Sequence, residues 1–177
     1  QWMTAGSGII HQEMPKPSPK MLGLQLWINL PQKDKMCKPA YWDILEDHVE
    51  PIVKDGYTIR VISGKVDQTA PKIQPKYVKA RILDISVKKD TTFSLDIDPK
   101  HNLFIYTFDS ELINVEDRNH LPKKSAVILH EGNKVELRAL EDSRFMWFEG
   151  LPLNEPVAFG GPIVMNTKEE LAFAFKE

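Results

Sequence analysis

In the stretch "GLQLWINLP" (residues 23–31), Leu24, Leu26, Ile28 and Leu30 fall on one side of an extended chain and Gln25, Trp27 and Asn29 on the other. A period of two predicts a half-buried β-strand, and Pro31 ends it by removing an amide donor. Similar short runs follow in "YTIRVISG", "ARILDISVKK", "TTFSLDID", "NLFIYTFD", "SAVILHEG", "KVELRAL" and "RFMWFEG", punctuated by Gly, Pro, Asn and Asp. That spacing is the one expected of a sandwich or barrel, so the predicted fold class is all-β, a double-sheet jelly roll.

The breaks between runs carry turn chemistry. "DPKHN" and "HEGNK" predict hairpin connections, because Pro presets one turn dihedral while Gly and Asn accept the left-handed one. Helix signals are sparse. "AYWDILEDHVE" predicts a short helical turn confined between Pro39 and Pro51. "NTKEELAFAFKE" predicts a terminal helix, since Thr167 and Glu170 have capping-box spacing and Leu171 and Phe175 share a face at i,i+4.

Prolines cluster in residues 1–53 around only two convincing strands, too little sheet to close a core. Residues 54–177 carry enough strands for a complete jelly roll, so the expected division is a partial domain plus linker over 1–53 and a self-sufficient domain over 54–177. The open strand edges expected of the first part predict self-association between copies.

Composition narrows the function classes. The chain has 177 residues, a formal charge of -2 and a pI near 6.2, which gives no basic surface for direct nucleic-acid binding. Cys37 is the single cysteine, so no internal disulfide is possible and a reduced thiol of no catalytic role is expected. No apolar run reaches the ~20 residues of a membrane span, and no signal-peptide pattern precedes the first strand. The expected location is cytoplasmic, with the nucleus open for a eukaryotic source.

One pair of residues carries candidate metal chemistry. His11 and Glu13 are separated by one residue, so on an extended chain both project to one side, about 7 Å apart along the backbone at ~3.3 Å per residue. Imidazole and carboxylate suit iron, and a mononuclear oxygenase site uses two His and one carboxylate. Two donors alone do not make a site, and an H-x-E in a strand is most often an ordinary polar pair.

"QWMTAGSGIIHQEMP", "GLQLWINLPQKDKM" with "YWDI", and "FGGPIVMNTKEEL", in this order and at these intervals, resemble the pirin family over nearly the whole chain. The resemblance implies a bicupin: two cupin-type jelly rolls in tandem, the first holding one metal, typically Fe, and the second without metal ligands. It implies ligands from an H-x-H pair on an earlier strand and an H-x-E pair on a later one, the latter matched by His11 and Glu13. The earlier pair has no counterpart in this sequence. The expectation is therefore a chain that starts inside its first cupin, with a metal site that is weak or absent.

His48, His101, His120 and His130 show no ligand spacing and are expected in turns or hydrogen bonds. Trp27, Phe104, Tyr106, Phe108, Phe145, Trp147 and Phe148 are expected to pack in sheets. The resemblance implies a quercetin 2,3-dioxygenase-type activity on a flavonol, with Glu13 assisting as base, reduced or lost in this chain. It implies as alternatives a redox-sensitive transcription coregulator that binds a transcription factor, or a non-catalytic interaction fragment.

Overall fold

The computed structural model describes residues 1–72 and 74–176. In chain order the strands are β1 (Trp2–Thr4), β2 (Ala40–Trp42), β3 (Pro51–Lys54), β4 (Tyr57–Ser63), β5 (Ala80–Val87), β6 (Thr92–Asp96) and β7 (Asn102–Thr107). They continue as β8 (Leu112–Asn114), β9 (His120–Leu121), β10 (Ala126–Leu129), β11 (Lys134–Ala139), β12 (Ser143–Gly150), β13 (Ala158–Gly160) and β14 (Ile163–Met165), and a short helix, α1, spans Lys168–Ala174. The architecture is all-β, as the alternation predicts.

The chain forms two compact units: Ile44–Pro152, and Gln1–Asp43 together with Leu153–Glu177. The larger unit is the jelly roll. Six strands in the order β10-β7-β12-β5-β4-β3 form one sheet, and four in the order β6-β11-β8-β9 form the other, all pairs antiparallel. Alternate residues of β12 point inward, and Phe145 and Trp147 are fully buried there. Opposite them Phe93, from the four-stranded sheet, meets Phe145, Trp147 and Tyr57 edge-on at centroid distances of 5.6, 6.3 and 5.3 Å. Each such side chain contributes about 1.5–3 kcal/mol by leaving water, so this aromatic cluster is the centre of the core.

The smaller unit pairs β1 with β2 and β13 with β14, both antiparallel. Its C-terminal tail begins at Leu153. The tail joins the first 43 residues through specific contacts: the Gln32 amide donates to Glu155 Oε2 at 2.7 Å, and the Trp27 ring meets Phe159. Helix α1 starts as predicted. Thr167 Oγ1 accepts from the Glu170 amide at 3.1 Å and Glu170 Oε2 accepts from the Thr167 amide at 3.0 Å, the reciprocal cap that satisfies orphan donors.

Two local expectations are corrected. Residues 23–31 run without strand pairing, and Leu24 and Leu26 stay 46% and 37% exposed. Alternation supplies only the potential for a strand, and the ladder needs a neighbour's amides and carbonyls, which no described residue offers this segment. Between Pro39 and Pro51, Ala40–Trp42 is strand β2, and the helical turn shrinks to a 3-10 turn at Glu46–His48.

Candidate functional site

The two candidate ligands come together. His11 Nδ1 lies 3.9 Å from Glu13 Oε1, in a segment outside any strand or helix, and both side chains are substantially open to solvent. Gln25 Nε2 donates to Glu13 Oε1 across a long 3.4 Å, linking the pair to the segment that follows. Two donors each about 2.1 Å from a common ion are at most about 4.2 Å apart, so this pair is within reach of one cation. Among the described residues, no group of three or more His, Cys, Asp and Glu side chains is arranged to hold a metal. The pair thus offers two donors and does not itself complete a site.

The segment behind the pair is held by its polar side. Gln25, Trp27 and Asn29 alternate along it: Gln25 reaches Glu13, Trp27 packs edge-on to Phe159, and Asn29 Oδ1 accepts from Lys35 Nζ. Trp27 was expected in sheet packing, yet the residue is 55% exposed, because this stretch has no sheet to enter. Lys35 is buried, and loss of hydration lowers its pKa from the ordinary value against the raising pulls of Glu155 and Glu170. At the near end, Tyr41 donates to Asp43 Oδ1 at 2.8 Å, and that hydrogen bond is the main cause raising its phenol pKa.

The remaining histidines belong to the larger unit. His48 Nδ1 accepts from the Leu45 amide at 3.3 Å, inside its 3-10 turn. His120 pairs with Glu111, and His130 stands beside the β10–β11 turn. His101 is different, because its Nδ1 lies 2.7 Å from Glu149 Oε1 and that carboxylate is buried. Glu149 is the residue that reading the sequence missed. It follows Phe145 and Trp147 at the inward-facing period of β12, and a carboxylate at an inward position was the available signal.

Among the described residues no helix is long and apolar enough to cross a membrane. Cys37 is a free thiol of intermediate exposure.

Comparison with known proteins identifies the family. The family described as "Pirin C-terminal cupin domain" matches residues 82–177, and the family described as "Pirin" matches residues 1–28. A Thermoplasma acidophilum protein provisionally named a quercetin 2,3-dioxygenase is 36% identical over 202 aligned positions, covering 100% of this chain and 75% of its own length. The pirin of Rattus norvegicus is 37% identical over 179 positions, covering 98% of this chain and 61% of the rat protein. A solved quercetin 2,3-dioxygenase from Acinetobacter baumannii superposes with a TM-score of 0.78 at 28% identity, covering 85% of this chain and 52% of that one. The chain therefore spans only part of the relatives it matches. With its all-β cupin architecture and matches at both ends of the sequence, the chain belongs to the pirin family.

Proposed function

We propose that the chain serves oxygenation of a flavonol-like substrate at iron, with His11 and Glu13 as two of the metal's protein ligands. The observation that carries this reading is the approach of the imidazole and carboxylate to 3.9 Å. It is supported by the quercetin 2,3-dioxygenase names borne by relatives. Iron, when bound, supplies redox chemistry with dioxygen and a positive charge that favours an ionised hydroxyl. The protein's own part is to offer the two donors and to let Glu13, held by Gln25, accept a proton from the substrate hydroxyl.

Two donors hold a cation weakly. Complete structural zinc sites bind with about 10–16 kcal/mol, and a site with half the ligands forfeits most of that. The chain by itself is accordingly proposed to load iron poorly and to turn over quercetin slowly or not at all. The test is anaerobic Fe(II) titration followed by quercetin turnover under oxygen. It is run on this chain, on a longer chain fused to the N-terminal region of a pirin relative, and on His11→Ala in both. Iron binding and turnover by the longer chain, lost in its His11→Ala variant, is the expected result. Tight iron binding without turnover favours the transcription coregulator, and unchanged iron affinity in the variant overturns His11 as a ligand.

A second reading concerns self-association. Ile10, Met14, Met21 and Leu22 are 103%, 76%, 58% and 57% exposed along one unpaired segment. Apolar side chains presented in this way favour pairing with a second copy of the chain.

A further inference from the structure

Glu149 occupies a position where an apolar residue would be the cheaper choice. It lies on the inward face of β12, one inward position beyond Trp147, and its side chain is 3% exposed. A carboxylate buried there costs several kcal/mol unless its oxygens are fully engaged. They are engaged on both sides. Glu149 Oε2 accepts from Arg81 Nε at 2.6 Å and from Trp147 Nε1 at 2.9 Å, and Oε1 lies 2.7 Å from His101 Nδ1. Arg81 is in turn held by the Asp96 carbonyl, 2.6 Å from its Nη2, and lies over the Trp147 ring. Gly64, at φ +82°, lets the chain pass so close to β5 that a Cβ would stand 2.9 Å from Arg81 Cα.

This arrangement selects one tautomer of the neutral His101 ring. An ionised carboxylate has only acceptors, so the Nδ1 facing it carries the ring hydrogen, and in the neutral imidazole Nε2 is left as an acceptor. His101 is partly exposed and lines a cavity of about 30 Å³ with Ile97, Leu103, Leu129, Val135 and His130. That volume takes one or two groups the size of a water molecule. Its rim carries one charge of each sign, Glu131 and Lys134, and Lys134 is bound to Glu136 at 2.8 Å, so the opening favours neither an anion nor a cation.

We propose that this end of the larger unit is a pocket for the hydroxyl end of an uncharged ligand, which donates a hydrogen bond to His101 Nε2 while its apolar body rests against Leu129 and Pro99. Glu149 is the positioning residue, and Arg81 and Trp147 hold Glu149. Neither His11 nor Glu13 takes part, so failure of this pocket and failure of the iron reading are separate results.

The probes are phenol, which donates a hydroxyl, anisole, which has the same body without a donor, and benzoate, which replaces the donor with an anion. The chain is labelled with [13C]histidine and titrated with each probe at about pH 8. The expected result is a saturable shift of the His101 ring signal by phenol, with a Kd of about 1–10 mM as suits so small a ligand. Anisole and benzoate are expected to bind at least about tenfold more weakly, the factor one good hydrogen bond supplies. His101→Phe removes the preference for phenol over anisole. Leu129→Trp, which adds bulk to the cavity lining, blocks phenol, with a dispersed histidine spectrum showing that the variant is folded. A shift that does not saturate, equal binding of anisole, stronger binding of benzoate, or phenol binding that survives both variants overturns the proposal.

Discussion

Trp27 stands edge-on to Phe159, with ring centroids 6.0 Å apart and planes at 75°, so residues far apart in sequence meet at one aromatic contact in the smaller unit. Both rings are more than half exposed, so the pair gains little from burial and more from its geometry. A double-mutant cycle of Trp27→Ala and Phe159→Ala is expected to give a coupling of about 0.5–1.5 kcal/mol, read from urea unfolding. Strict additivity would show that the rings touch without holding the tail.

Glu149→Ala leaves Arg81 and the Trp147 indole without their acceptor in the interior. The expected loss is about 3–5 kcal/mol, and Glu149→Gln, which keeps one acceptor oxygen, loses less. Denaturant midpoints of the two variants check the order. A neutral Glu149→Ala would mean that water replaces the carboxylate.

Phe93→Ala opens the aromatic centre of the jelly roll. Phe93 is fully buried and meets three other rings, so the expected cost is about 3–5 kcal/mol in thermal or urea unfolding.

Lys35 gives the pH dependence its direction. Its pKa in the folded chain lies below the ordinary 10.5 because burial disfavours the ammonium. Between the lowered folded value and 10.5 the unfolded chain binds more protons, so the stability of the native protein rises with pH across that window. Below it, both states are charged and the burial penalty is present in full. The difference in Tm between the native chain and Lys35→Met is expected to move in favour of the native chain as pH climbs toward 10.5. A difference that is flat with pH would mean that the pulls of Glu155 and Glu170 cancel the burial.

The exposed segment around Ile10 to Leu22 predicts concentration-dependent association. Light scattering coupled to size exclusion is expected to show mass rising with concentration, and Ile10→Lys with Leu22→Lys to lower it. A monomer at every concentration would remove the self-association reading.

The alternation along the chain made most of the jelly roll legible, because a strand half buried in a sandwich must place its apolar side chains at every second residue. The run read as "RFMWFEG" covers β12 from its second residue on, "NLFIYTFD" contains β7, and the capping box of Thr167 and Glu170 stands at the start of α1. The proximity of His11 and Glu13 was legible for the same reason, since residues two apart on an extended chain share a side whether or not a neighbour pairs with them. Composition was less informative: a near-neutral charge argued against nucleic acid and named nothing else.

By itself, then, the amino-acid order determined what depends on near neighbours: strand period, helix cap, family motifs and the adjacency of the candidate ligands. Tertiary structure alone decided that residues 23–31 stay unpaired, that the C-terminal tail joins the first 43 residues, and that Glu149, Arg81 and His101 meet. Each of these rests on groups brought together from distant points in the chain. Pairing and burial are set by which partners arrive, and no local pattern states that.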